Sequence, residues 1–131
     1  MAKALGVGGV FFKSKDPAAL RAWYARWLGL SDRESFGTVF EPVEIPPGGY
    51  TVWSPFPQST TYFAPSDQTY MINLMVDDLD EALAQVSEGG ASVVDQVEEL
   101  DIGRFGWFFD PEGNKIELWE PRPPFQEKVA R

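Results

Sequence analysis

The chain has 131 residues, 44% hydrophobic and 24% charged, a composition that fits one globular domain long enough to bury its own core. It contains no Cys and no His, which excludes disulfides, thiolate nucleophiles, a Ser-His-Asp triad and any metal held by His or Cys. Asp and Glu number 20 against 11 Lys and Arg, so the net charge is −9, which opposes nucleic-acid binding and favours cationic ligands. The apolar runs are too short for a membrane span, and the Met1–Leu5 start is too short and mixed for a signal peptide. The expected location is cytoplasmic.

Leu5 to Lys13, rich in Val and Phe, reads as a buried strand. Asp16-Pro17 then supplies an N-cap and a first-turn proline, and Leu20, Trp23, Tyr24, Trp27 and Leu28 form the apolar stripe of a helix. Gly29 is placed to end it. Phe36–Phe40 and Tyr50–Ser54 read as strands, separated by the Pro46-Pro47-Gly48-Gly49 turn. Residues 55–68 carry three prolines and no helical period, and read as a long connection. Their aromatics Phe56, Tyr62 and Phe63 suggest a lid, or packing against a partner subunit.

Tyr70–Val76 is the next predicted strand, and Asp78 with Glu81 has the spacing of a capping box opening a second helix. Leu79, Ala82, Leu83 and Val86 form its stripe, ended by Gly89-Gly90. Ala91–Val97, Phe105–Phe109 and Lys115–Trp119 read as strands, the last two joined by the turn Asp110–Asn114. On the middle strand Phe105, Trp107 and Phe109 share one face, and Gly106 and Phe108 share the other. One face then meets a cavity and the other a helix.

The order is β-α-β-β-β, twice, and a constant shift lays Gly9–Phe12 on Met71–Leu74 and Asp16 on Asp78. The expectation is an α+β domain over residues 1–125. Its two βαβββ modules, about 5–55 and 69–121, form a curved sheet around a central cavity, followed by a tail at 126–131.

The strand 7–13, the helix from Asp16 to Gly29, the segment Val76–Ala82 and above all Phe109–Leu118 (FDPEGNKIEL) resemble the vicinal oxygen chelate superfamily, the glyoxalase/bleomycin-resistance/dioxygenase fold. The resemblance implies metal-ligand positions on the first and last strand of each module, which fall on Gly9, Trp53, Met71 and Glu117. Of these only Glu117 offers an oxygen or nitrogen ligand for a hard or borderline cation, so no metal and no other cofactor is expected.

Glu117 reads either as a general base in an apolar cavity or as a cavity residue bonded to a neighbour. Trp53 either stacks on a ligand or plugs the core, and Met71 beside it packs or touches ligand. Phe105, Trp107 and Phe63 are further ligand-contact candidates. Arg104 either pins an anionic group of a ligand or pairs at the surface with Asp101. The first functional reading is a metal-independent protein that binds a small aromatic or apolar molecule, cationic in the resistance-type case, with Glu117 as its main charged contact. The second is a glyoxalase-like lyase or isomerase, or a dioxygenase-type enzyme, with a non-standard site and Glu117 as acid–base. The third is a subunit with no ligand of its own. The expected partners are a small molecule and a second copy in a homodimer, with no nucleic acid and no membrane.

Overall fold

The computed structural model describes residues 1–3, 5, 7–31 and 37–122. Helix α1, Pro17–Leu28, begins where the Asp16 side chain accepts the Ala19 N–H, with proline in the first turn. It ends at Gly29, whose φ of 70° lies in the left-handed region that glycine enters at least cost. Helix α2, Leu79–Glu88, opens with the Asp78 side chain accepting the Glu81 N–H.

The strands are β1 (Ile72–Met75), β2 (Ser92–Val93), β3 (Glu98–Leu100), β4 (Gly103–Phe109) and β5 (Lys115–Pro121). They form one mixed sheet in the order β1-β5-β4-β2, with β3 also paired to β4. β1 runs parallel to β5, which places Asn73 beside Glu117, and β4 runs antiparallel to β5, which places Trp107 beside Glu117. Of the strand expected at Ala91–Val97 only the two-residue β2 forms, and β3 lies beyond it at Glu98–Leu100. Val94 still donates to the Trp107 carbonyl, but Gln96 donates back to the Val94 carbonyl, and that tight turn separates β2 from β3.

Strand alternation divides the sheet into two chemically different faces. Phe108, Ile116 and Leu118 point to the helices and pack with Leu20 and Tyr24 of α1 and Leu79, Ala82 and Val86 of α2. Phe108, Leu79, Leu118 and Val86 are fully buried, each contributing roughly 1.5–3 kcal/mol relative to exposure. Gly106 sits on this face because a Cβ there would lie 2.9 Å from a Leu83 methyl. Phe105, Trp107, Glu117 and Trp119 occupy the other face. No helix among the described residues is long and apolar enough to cross a membrane.

The α+β class and both helices match the expectation, but among the described residues all five strands come from the second half of the chain. Residues 7–13 and 50–54 run without a ladder, and 37–40 make only an isolated bridge at Gly37. Phe36, which opens the second expected strand, and the tail 126–131 lie outside the described residues. The composition of the first half explains the difference. Gly8 and Gly9 interrupt one run and four prolines, Pro46, Pro47, Pro55 and Pro57, flank the other; both residue types weaken a strand that has no paired neighbour. Helix α1, by contrast, has its own cap and stripe, and it docks on the sheet of the second half.

That docking is reinforced by the 110–114 turn. Asp110 accepts hydrogen bonds from the Tyr24 hydroxyl, the Glu112 and Asn114 backbones and the Asn114 amide. Glu112 accepts from the Ser14 hydroxyl and the Lys15 and Asp16 N–H groups at the start of α1. At the other end of α1, Trp23 donates to the Gly89 carbonyl and Gln85 donates to the Trp27 carbonyl.

Candidate functional site

The face of the sheet away from the helices floors an open cleft of about 1040 Å³. Its walls include Phe11 and Phe12 from the N-terminal run, Phe56 and Phe63 from the long connection, and Phe105 and Trp119 from the sheet. Phe105 stacks on Trp119, with ring planes 5° apart and centroids separated by 5.9 Å, and Tyr50 meets Trp119 edge-on at 4.9 Å.

Glu117 lies in this floor and is 8% exposed. The Asn73 amide donates to its Oε1 at 2.8 Å, and the Trp107 indole N–H and the Tyr62 hydroxyl donate to Oε2 at 2.9 and 2.5 Å. All three donors are electrically neutral, and among the described residues no ion pair involves Glu117. A carboxylate shielded this way keeps its hydrogen bonds but has no counter-charge, a costly arrangement in an apolar setting unless a cation arrives.

Tyr62 belongs to the aromatic cluster of the long connection. Its ring stacks on Phe56 at 5.7 Å and stands edge-on to Trp107 at 6.3 Å. Burial, helped by its bond to Glu117, pushes its phenol well above the ordinary range, so it stays a proton donor. The Lys115 ammonium reaches over the same ground. It donates to the carbonyls of Tyr62 at 2.8 Å and Ala64 at 3.2 Å, and sits 5.5 Å from the Tyr62 ring and 6.0 Å from the Trp107 ring.

Of the residues singled out from the sequence, Glu117, Phe105, Met71 and Phe63 line this cleft, and Trp107 bonds to Glu117 from below it. Met71 does not stand beside Glu117; the parallel register gives that place to Asn73, two residues on along the same face. Trp53 is 79% exposed and outside the cleft lining, because its segment is not a strand of the sheet. Arg104 points to the helix side, with Phe108, and pairs with Asp80, Glu99 and Glu120 at 3.1, 3.6 and 3.8 Å rather than with Asp101. Gly9 carries no side chain, and a Cβ there would meet the Phe11 ring.

Sequence reasoning missed the roles of Tyr62, Asn73 and Lys115. Asn73 had a signal: it is the one polar residue in the run Tyr70–Val76. Lys115 also had one, since it shares a strand face with Glu117. The Tyr62 contact spans a separation that no local pattern encodes.

The residues present do not suit a divalent metal. N–H and O–H donors already occupy both Glu117 oxygens, and the described residues contain no group of three His, Cys, Asp or Glu positioned to hold an ion.

The family model of the glyoxalase-like domain matches residues 9–119. A glyoxylase/bleomycin resistance protein/dioxygenase domain from Frankia sp. EAN1pec has 18% identity over 92% of this chain and 100% of its own, with a TM-score of 0.55. A protein of unknown function from Agrobacterium tumefaciens str. C58 has 21% identity over 88% and 98%, also at 0.55. A hypothetical protein from S. aureus has 22% identity, but the match spans 42% of this chain and under half, 45%, of that one, at a TM-score of 0.37. No curated protein matches the chain. With its two helices packed on one face of an open mixed sheet and its cleft on the other, the chain belongs to the glyoxalase-like domain family.

Proposed function

We propose that this chain binds a small aromatic cation in the cleft without a metal, and that Glu117 supplies its charged contact. The observation that carries the reading is a buried carboxylate held only by neutral donors on an aromatic floor. A flat cation gains there from charge pairing and from the rings together. Lys115 already holds an ammonium near the Tyr62 and Trp107 rings, so the wall accepts positive charge. The net charge of −9 raises the local concentration of such a ligand. Phe105, Met71 and Phe63 provide apolar contact, and Trp107 orients Glu117.

In the same reading the chain is one domain, and two copies associate through the apolar residues left exposed in the first half. Phe11 is 94% exposed, Trp53 79% and Val52 64%, and large apolar side chains left this open support an association surface. Native mass spectrometry on protein purified without added metal or chelator tests these points together. The expected spectrum is a metal-free dimer that binds the aromatic cation 9-aminoacridine with or without EDTA. One divalent ion per chain, or binding lost on chelation, contradicts the metal-independent reading, and a monomer mass contradicts the dimer.

A further inference from the structure

Glu117 has three donors, and they differ in how they are held. Asn73 and Trp107 lie on β1 and β4, inside the ladder of the sheet. Tyr62 lies on the connection 55–68, whose backbone bonds among the described residues are its own short turns: Thr60 to Pro57, Ala64 to Thr61 and Ser66 to Phe63. Among the described residues, two side-chain attachments join this segment to the sheet by hydrogen bonds. One is the Tyr62 hydroxyl on Glu117, and the other is Lys115 on the carbonyls of Tyr62 and Ala64.

Two attachments at one place, with only local turns behind them, make this segment one that opens at low cost. Phe56 is 45% exposed and Tyr62 38%, so the aromatic cluster on it is itself only partly covered. Glu117, which it helps to cover, is 8% exposed.

We infer that residues 55–66 form a lid latched by Tyr62 and Lys115, and that the Tyr62 hydroxyl occupies the position on Glu117 that the N–H of a cationic ligand takes over. This inference rests on the binding reading above and adds the class of group that the site selects: a cation carrying an N–H donor directed at Oε2. A neutral phenol holds the carboxylate more weakly than a charged donor does, so the exchange runs toward the ligand. Rings alone do not drive it.

The test compares wild type, Tyr62→Phe and Lys115→Met, using 9-aminoacridine as the cation and acridine as its neutral analogue. Removing the competing hydroxyl is expected to tighten 9-aminoacridine about tenfold and to leave acridine nearly unchanged, so the ratio of the two affinities rises. Hydrogen exchange of the amides of 61–66 is expected to quicken in both variants without ligand, the Lys115→Met change reporting the second latch. Equal tightening of both probes would mean that Tyr62 merely fills space, and weaker cation binding would mean that it contacts the ligand; either overturns the exchange. If wild type binds neither probe, the binding reading fails, and the lid is still judged by exchange. Unchanged exchange in both variants overturns the lid.

Discussion

Asp110 and Glu117 are both buried carboxylates, and their surroundings assign them different work. Asp110 is enclosed by the Tyr24 hydroxyl, two backbone N–H groups and the Asn114 amide, so it fixes the 110–114 turn and the position of α1. Asp110→Ala strands these donors together. It is expected to destabilise the fold by about 3 kcal/mol or more, read as a lower denaturant midpoint at unchanged slope. Burial and the neighbouring Asp110 push the Tyr24 phenol far above its ordinary value, and burial with the Glu117 bond raises Tyr62. Phenols raised in the fold contribute stability that is full below the unfolded value, about 10, and lost as pH rises beyond it. Unfolding midpoints are therefore expected to fall above about pH 10, and less steeply in Tyr24→Phe. An equal fall in that variant would assign the loss to other groups.

At the scale of elements, the start of β4 leaves no room for a side chain. Gly103 has φ 141°, and a Cβ there would lie 2.2 Å from the Glu120 carbonyl oxygen and 2.7 Å from the Trp119 indole nitrogen. Gly103→Ala is expected to cost about 2–4 kcal/mol through strain and overlap. Gly106→Ala presses on the end of the flexible Leu83 side chain, with a Leu79 methyl at 3.4 Å, and is expected to cost clearly less in the same denaturation series. Glu112 ties the turn to the start of α1. Burial alone would raise its carboxyl, but the Ser14, Lys15 and Asp16 donors outweigh burial and hold it below the ordinary value. Its contribution is thus present above the unfolded carboxylate value, about 4.3, and lost as pH falls through the lower folded one. Glu112→Ala is expected to cost about 1 kcal/mol at neutral pH and to converge with wild type in acid.

These same elements mark what the sequence made legible. Asp16-Pro17, Asp78 and Gly29 announce helix ends through local chemistry, and alternation from Phe105 to Phe109 separates two faces, one for a cavity and one for a helix, without saying which is which. Val and Phe between Leu5 and Lys13 also satisfy a strand pattern, but ladder formation depends on a neighbour, and nothing local records whether one is present. Likewise the carboxylate Glu117 was legible from the FDPEGNKIEL run. Its donors were not, because Tyr62 is 55 residues away along the chain and Asn73 44. The resemblance put Met71 and Glu117 in one set of ligand positions, whereas the parallel register sets Asn73, two residues further on, beside Glu117.

At the scale of the whole molecule, one sheet face is closed by two helices and the other carries a cleft with Glu117 in its lining, in no ion pair among the described residues. The proposed binding of a cation against rings rests at this scale on the net charge of −9 and on this cleft. Calorimetric titration of 9-aminoacridine and acridine into wild type and Glu117→Gln at neutral pH and low salt tests that claim most directly. The account predicts that wild type prefers the cation by about tenfold or more and that Glu117→Gln removes the preference while keeping the neutral affinity. Equal affinities in wild type, or a preference that survives in Glu117→Gln, would contradict it.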